Sequence, residues 1–320
     1  FAFSFEGGGA LLLSFRFIPE FGFWRGITYS VFHSVSAFCN AGFDLFGSVA
    51  GPFAGMEYFA DDLYVNVVIC ILIICGGLGF VVWNDIFKYL RHRERMSLYS
   101  KLVLTITAAL VLVGTVFFAV AEWNNPETLG GLSVRGKLLR AFFQSVTLRT
   151  AGFASVPQGG LRDVSKLFGM LLMFVGGSSG STAGGIKTVT AGILVLAAFH
   201  ITRGNNDVTV HRRRIDQALI SRAFAIAGIA LLIILAGIFI IQITDPFTVG
   251  ETGYEVFSAF GTVGVSTGIT PLISGGGSVV LIVLMLFGRI GINTITYAIM
   301  MGLNDDKQVA HFPKASLLVG

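Results

Sequence analysis

The 320-residue sequence is poor in charge, cysteine and proline. Asp, Glu, Lys and Arg make up only 12% of the residues, whereas 54% are hydrophobic. Soluble domains carry about 25% charged residues, so the composition argues against a soluble enzyme. The three cysteines, Cys39, Cys70 and Cys75, form no CxxC or Cys/His cluster, which favours buried reduced thiols over a disulfide framework.

Long apolar runs take the place of charge. They cover 63–83, 102–121, 167–199, 223–243 and 278–302. A helix needs about 20 mostly apolar residues to cross a bilayer. The sequence therefore predicts an all-α polytopic membrane protein.

The distribution of charge predicts the topology. Basic residues concentrate in 85–101 and 203–222, and an excess of Lys and Arg in short loops marks the cytoplasmic side. The segments 43–62 and 245–277 contain acidic residues but no Lys or Arg, which places them outside. The segment 134–166 is basic and disagrees, but the two strong inner loops outweigh it.

A glycine-containing pattern recurs in three outward segments. Its members are 32–43, 142–153 and 256–265. Gly42, Gly152 and Gly264 are 110 and 112 residues apart, which is the period of one structural unit. The stretches before them, such as 25–38 and 136–148, are too short to span a bilayer and are typical of re-entrant helices.

Such a unit predicts an ion path. Non-helical backbone at membrane depth is tolerated only where protein buries it or where it lines a watery cavity. Extended residues after a re-entrant helix can direct carbonyl oxygens at one axis and replace the hydration shell of a cation. Glycine permits the backbone dihedrals that such a row requires. The alternative is that these glycines are ordinary turn residues between helices.

A second glycine-rich stretch interrupts the run 167–199. It consists of Gly176, Gly177, Ser178, Ser179, Gly180, Ser181, Thr182, Ala183, Gly184 and Gly185. A continuous helix is disfavoured there, because each Gly costs about 1 kcal/mol relative to Ala. A helix that starts near Asp163 would reach Gly176 about 20 Å into the membrane. A packing seam of small residues between helices stays open as an alternative.

Nucleotide binding by this stretch is disfavoured. The stretch nearly matches a Walker A motif, but Ile186 stands where Gly and Lys should be adjacent, and no strand precedes it. Lys187 and Arg289 fall inside predicted spans, where ionisable groups are costly and usually face a cavity or a partner. Snorkelling of both side chains towards the cytoplasmic headgroups is the other interpretation.

Together these residues resemble a known family. The motifs are Asn40-Ala41-Gly42-Phe43, Arg149-Thr150-Ala151-Gly152-Phe153, 262–268, 176–188 and 288–291. They look like the superfamily of K⁺ transporters that comprises the Trk, Ktr and plant HKT proteins, with KtrB, the bacterial Ktr potassium-translocating subunit, the most similar. The resemblance covers essentially the whole chain. One departure is Gly291-Ile292-Asn293-Thr294, where the family commonly has Gly-Pro-Leu-Thr.

The resemblance implies four helix–pore helix–helix (M1-P-M2) repeats arranged pseudo-symmetrically around one ion path. Residues 1–90 would form the second repeat with a truncated first helix. Residues 91–205 would form the third repeat, with a gate loop in its broken second helix, and 206–320 the fourth repeat and C-terminus. The first repeat is thus expected to be absent.

Site residues and partners also follow from the resemblance. The selectivity filter would use the backbone carbonyls of Asn40, Ala41, Gly42, Phe43, Thr150, Ala151, Gly152, Phe153, Thr262, Val263, Gly264 and Val265, with K⁺ at these residues. Residues 176–185 would form an intramembrane gate, with Lys187 and Arg289 beside it. The expected partners are a second copy of the chain, membrane lipid and a cytoplasmic nucleotide-binding ring of the KtrA/TrkA type, but no nucleic acid. The chain itself would bind no cofactor, since the nucleotide is expected only in the regulatory ring.

The function indicated is K⁺ uptake across the bacterial plasma membrane. A secondary transporter with a broken-helix substrate site at the bilayer midplane stays open as an alternative. A membrane-embedded hydrolase using Ser178 or Ser181 has little in its favour beyond the two serines. The five histidines lack metal-ligand spacing and no Ser/His/Asp order stands out, so the sequence indicates no enzymatic chemistry.

Overall fold

The computed structural model describes residues 1–51, 54–204, 207–210 and 213–291. The helices in these ranges are α1 (Ala2–Phe21), α2 (Phe23–Phe38), α3 (Gly47–Ala50), α4 (Leu63–Leu78), α5 (Phe80–His92), α6 (Leu98–Glu122), α7 (Val134–Thr147), α8 (Asp163–Phe174), α9 (Thr188–Thr202), α10 (Gln217–Thr244), α11 (Val249–Gly261) and α12 (Gly275–Ile290). Short 3₁₀ helices cover Gly55–Phe59, Gln158–Gly160 and Thr270–Leu272. Two strands, β1 (Thr209–Val210) and β2 (Arg213–Arg214), form an antiparallel ribbon.

In the part of the chain that the structure describes, two helices are long and apolar enough to cross a membrane by themselves. They are α6 with 25 residues and α10 with 28 residues. Much of α10 faces away from the protein, with Leu232, Phe239 and Ile243 exposed. A contiguous apolar surface of this kind fits contact with lipid. The prediction of an all-α membrane protein is thereby confirmed.

The run 63–83 does not form one continuous helix, although α4 and α5 taken together are long and apolar enough for one broken span. The helix stops at Leu78, and α4 and α5 are bent by 99° to each other. Gly79 adopts a φ of 79° at the bend, and a Cβ built there would lie 2.8 Å from Ser178 Oγ. The bend therefore makes room for the chain around Ser178.

Two other predicted spans differ from the observed helices. The run 167–199 is divided between α8 and α9, as its glycine content indicated. In the run 278–302, α12 ends at Ile290, and 292–302 lies outside the described residues. At the N-terminal end of the described residues, α1 has 20 residues.

Three short helices, α2, α7 and α11, pack against the longer helices α1, α6 and α10 that precede them. Caps fix where two of them begin: the hydroxyl of Ser133 accepts a hydrogen bond from Gly136 N, and Thr248 forms a capping box with Glu251. Before α2 the chain instead reverses at Gly22, with a φ of 80°. The same helix–short helix–helix order thus occurs three times along the chain.

In the described residues, three large apolar clusters form most of the buried core. One aromatic cluster, including Phe17, Phe46 and Phe59, lies under α1, α2 and the loop that follows α2. A second joins α6, α7 and α8 to α11, and a third joins α10, α11 and α12. Each short helix is therefore held by apolar burial, and α7 and α11 also pack into the cluster of the preceding unit, which fixes the positions of the turns at their C-terminal ends.

Candidate functional site

The three glycine turns, 40–43, 150–153 and 262–265, meet in the structure. A Cβ built on Gly42 would lie 2.8 Å from the Cα of Gly152. A Cβ on Gly152 would lie 2.1 Å from the carbonyl oxygen of Val263, and one on Gly264 would lie 3.8 Å from Gly152 Cα. Three segments more than 100 residues apart in sequence thus approach one another closely through their backbones, and Gly152 lies between Gly42 and Gly264.

The three turns share one backbone conformation. Their glycines have φ values of 71°, 92° and 97° in chain order. Two residues earlier stand Asn40, Thr150 and Thr262, also left-handed, with φ values of 50°, 70° and 50°. Non-glycine residues rarely adopt positive φ, and each such residue costs about 1–3 kcal/mol. The repeated strain therefore marks one backbone structure built three times.

A hydroxyl group on each short helix holds its own turn. Ser36 Oγ donates to the carbonyl oxygen of Phe43 at 2.8 Å, and Ser258 Oγ donates to that of Val265 at 2.7 Å. In the middle unit Thr147 Oγ1 donates to Phe153 O at 2.6 Å. Each bond ties the last residue of a turn to the last turns of the preceding helix. The sequence analysis missed these anchors, although Ser36, Thr147 and Ser258 are spaced by 111 residues at each step.

One residue of the turns differs from its counterparts. Phe153 and Val265 are buried, whereas Phe43 is 69% exposed. Phe43 lies beside a groove of about 700 Å³, which is also lined by Gly42, Gly264 and Arg289. The groove is thus bordered by the first turn on one side and by the third turn on the other.

The glycine-rich loop, residues 175–187, connects α8 to α9. Its two ends are joined, because Gly176 N donates to Ile186 O at 2.8 Å and Ile186 N donates to Phe174 O at 3.2 Å. Thr188 Oγ1 donates to Gly176 O at 2.7 Å. These bonds satisfy backbone groups that the break in the helix releases, which is the condition for irregular backbone at membrane depth.

The tip of the loop binds the bend between α4 and α5. Ser178 N donates to Gly77 O at 3.0 Å, and Thr182 N donates to Gly76 O at 3.3 Å. In return Phe80 N donates to Gly180 O at 3.3 Å, and Ser178 Oγ donates to Leu78 O. The loop thus caps both helix ends that the bend leaves without intrahelical partners.

The loop also lies directly against the glycine turns. Thr182 Oγ1 donates to Phe38 O, at the end of α2, at 3.1 Å. A Cβ on Gly176 would lie 3.4 Å from Thr150 Cγ2, and one on Gly184 would lie 2.1 Å from Thr262 Oγ1. The loop therefore contacts all three units where the short helices end and the turns begin.

Both cations singled out from the sequence bind carbonyl groups of this loop. Lys187 Nζ donates to Ala183 O at 2.8 Å, and an Nη of Arg289 donates to Thr182 O. Across the described ranges neither takes part in an ion pair. These contacts favour the interpretation that both side chains face a partner within the protein, here the glycine-rich loop, over snorkelling towards the headgroups.

The structure also buries Arg149, a cation to which the sequence analysis gave no role. Arg149 directly precedes the middle turn and is only 8% exposed. Its Nη2 lies 3.5 Å from Thr107 Oγ1, and its Nε has no partner within the described part of the chain. The sequence analysis named Arg149 as the first residue of the motif 149–153 but assigned it no role, because its spacing gave no sign that it lies buried behind a turn.

Comparison with known proteins decides what kind of protein has this arrangement. Residues 14–310 match the model of the TrkH family, described as a cation transport protein. The chain belongs to this family. The family consists of cation transporters and not of enzymes, and the resemblance inferred from the motifs is confirmed.

Several relatives align over almost all of the chain. The potassium/sodium uptake protein NtpJ of Enterococcus hirae is 40% identical over 98% of this chain and 68% of its own length. The Ktr system potassium uptake protein B of Bacillus subtilis is 40% identical over 93% of this chain and 65% of its own. That of Vibrio alginolyticus is 35% identical over 321 aligned residues and 69% of its length. The chain thus spans about two thirds of these relatives.

A solved structure supports the fold. The potassium transporter TrkH from Vibrio parahaemolyticus superimposes with a TM-score of 0.70 over 92% of this chain and 61% of its own, at 20% sequence identity. At this level of identity the likeness concerns the fold alone.

Proposed function

We propose that this protein translocates K⁺ across the plasma membrane as a multi-pass uptake protein. The observation that carries the proposal is the meeting of three turns with one shared left-handed pattern at the ends of three short helices. Membership of a cation transport family agrees with it, as do the potassium uptake relatives.

In this proposal the turns form the selectivity filter. The carbonyl groups of 40–43, 150–153 and 262–265 replace the hydration shell of K⁺. The hydroxyl anchors bind the last carbonyl of each turn to its own short helix, which fixes the backbone of the turn. The C-terminal ends of α2, α7 and α11 add partial negative charge on the same side. No side-chain carboxylate is required to hold the ion.

The glycine-rich loop is proposed as the gate. It lies across the start of all three turns, and Lys187 and Arg289 place positive charge beside it. A cation on a K⁺ path raises the barrier, by about 4 kcal/mol for unit charges 4 Å apart at an effective dielectric constant of 20. Conduction then requires the loop to move.

The chain is proposed to consist of three units, 1–90, 91–205 and 206–320, each a helix, a pore helix and a helix. The groove between the first and third turns is the side at which a fourth unit of the same design would close the ring. We further propose that the protein acts as a homodimer with a cytoplasmic nucleotide-binding ring, which biases the gate. A two-state loop needs a bias of only a few kcal/mol to switch.

Uptake of K⁺ or ⁸⁶Rb⁺ by the complete gene product in proteoliposomes tests the proposal. We expect flux that follows the membrane potential and favours K⁺ over Na⁺. Saturable transport with a fixed coupling stoichiometry would instead identify a secondary transporter, and turnover of a substrate without a membrane potential would identify a hydrolase.

The open side of the ring supplies a second test. If a fourth unit closes the groove between the first and third turns, the 320 residues reconstituted by themselves should not give K⁺-selective flux. Selective flux from these residues would show that three units suffice or that a second copy closes the ring.

A further inference from the structure

A second buried polar residue stands one helical turn before each hydroxyl anchor. The three residues are His33, Gln144 and Glu255, spaced by 111 residues at each step. Their exposures are 0%, 2% and 4%, so all three polar side chains are buried in the protein. Buried polar groups are costly unless they are hydrogen-bonded, and the partners of these three therefore indicate what they do.

All three residues bind the chain just beyond the glycine turn of their own unit. His33 Nε2 accepts from Leu45 N at 3.3 Å. Gln144 exchanges two hydrogen bonds with Gln158, at 2.6 and 3.1 Å. Glu255 Oε1 accepts from Thr267 N at 2.8 Å. Leu45 and Thr267 both lie two residues after the end of their turns, so the first and third units repeat one contact.

The contacts of Glu255 are the most extensive of the three. Besides Thr267 N, its carboxylate accepts from the hydroxyl groups of Ser266 at 2.7 Å, Thr267 at 3.1 Å and Thr270 at 2.6 Å. Hydrogen bonds to a charged acceptor are about twice as strong as neutral ones. The segment 266–270, which continues directly from the third turn, is therefore fastened to α11 by one side chain.

The charge of Glu255 also distinguishes it from its counterparts. Gln144 is an amide, and His33 is neutral in this arrangement, because its Nδ1 contacts Tyr29 O while its Nε2 accepts a hydrogen bond. None of the ion pairs in the described ranges includes Glu255. Glu255 lines the same groove as Gly264 and Val265. One of the three turns thus has an unpaired carboxylate at its far end.

We propose that Glu255 is a positioning residue that sets the geometry of the third turn and draws cations to the end of the path opposite the glycine-rich loop. This inference rests on the proposed K⁺ transport. The hydrogen bonds hold the segment 266–270 directly after Val265, which fixes the end of the third turn. The unpaired charge raises the local cation concentration in the groove.

Two substitutions separate the two effects. Glu255→Gln retains the shape of the side chain but removes its charge, so K⁺ uptake should require a higher external concentration. Glu255→Ala also removes the anchor, so the K⁺ over Na⁺ flux ratio should fall by about tenfold, the size expected for loss of a charge-assisted hydrogen bond. Both are measured per folded molecule in proteoliposomes containing the complete gene product.

Glu251→Gln is the matched control. It removes one negative charge from the same helix, but the hydrogen bonds of Glu251 in the described residues go to Thr248 at the exposed start of α11 and not to the segment 266–270. We expect an unchanged flux ratio and an unchanged half-saturation concentration. Equal effects of Glu251→Gln and Glu255→Gln would overturn the proposal, as would folded Glu255 variants with wild-type flux ratio and half-saturation.

If the Glu255 variants do not fold, Thr270→Val tests the anchor from the other side, since it removes one donor and leaves the carboxylate in place. A lowered K⁺ over Na⁺ ratio supports the proposal, and an unchanged ratio overturns it. Wild-type protein without selective K⁺ flux would refute the proposed function itself, which distinguishes the two failures.

Discussion

The glycine turns and the glycine-rich loop use the same residue type but are held in different ways. Each turn is fastened by a hydroxyl group of the helix directly before it, as Ser36, Thr147 and Ser258 show. The loop is closed at its neck by its own bonds, but its tip binds α2, the bend between α4 and α5, and α12. The position of the loop therefore depends on helices that belong to other units.

If the loop is the gate proposed above, this difference separates a fixed element, the turns, from a moving one, the loop. A turn held by its own helix keeps its geometry as long as that helix stays folded. A loop held by other helices is released when those helices shift, and its glycines allow the new backbone conformation. The following substitutions test whether the turns and the loop respond in opposite directions.

The largest effect is expected for Gly152→Ala in the middle turn. Its Cβ would lie 2.1 Å from Val263 O, at a φ of 92° that disfavours any side chain. Selective K⁺ flux should be lost. Gly131→Ala is the control, because nothing lies within 4 Å of a Cβ there. Gly264→Ala should have an intermediate effect, since its φ of 97° is equally restrictive but its Cβ would lie 3.8 Å from the nearest atom. Equal selectivity ratios in wild type and Gly152→Ala would contradict the filter.

The opposite response is expected when the loop is released. Deletion within 178–183, or Arg289→Gln, removes contacts that hold the loop across the turns. Flux per folded molecule should rise and depend less on the proposed nucleotide-binding ring. Arg95→Gln, in an exposed part of the basic loop, is the control for charge. A packing seam predicts the reverse, namely an unstable protein with lower flux.

A smaller loss of selectivity is expected from Thr147→Val. The change removes the hydrogen bond to Phe153 O but keeps most of the side-chain volume. A hydrogen bond of this kind contributes about 1 kcal/mol, so the K⁺ over Na⁺ flux ratio should fall by about fivefold. Thr105→Val, on an exposed part of α6, should leave the ratio unchanged. An effect of equal size at both positions would argue against a specific anchor.

The smallest effect is expected from Tyr99→Phe. The Tyr99 hydroxyl donates to Ser179 O at 3.1 Å, one exposed contact among several that hold the loop. Flux should rise by less than about fivefold, as expected for a neutral hydrogen bond of about 1 kcal/mol or less. Tyr89→Phe, on the exposed surface of α5, provides the comparison. Decreased flux in Tyr99→Phe alone would indicate that the contact supports the open state.

The sequence predicted the helical membrane fold because apolar runs of bilayer length have few other stable structures. It also predicted the short helices and their glycine turns, since a repeat with a period of about 110 residues can be recognised without knowing which residues are in contact. The break in the run 167–199 followed from its composition. The bend at Gly79 could not be predicted from composition. Nothing in the run 63–83 distinguishes a glycine that stays within a helix from one at which contact with another segment turns the chain.

What the sequence by itself determined, then, is local: which segments are apolar, where helices break and which pattern recurs. The tertiary structure decided which of these segments meet. Only the folded chain brings Gly152 between Gly42 and Gly264, places Ser178 against the bend at Gly79, and buries Arg149 and Glu255. The physical reason is that such contacts depend on packing between helices distant in sequence, whereas spans and breaks depend on the transfer of each segment from water to lipid.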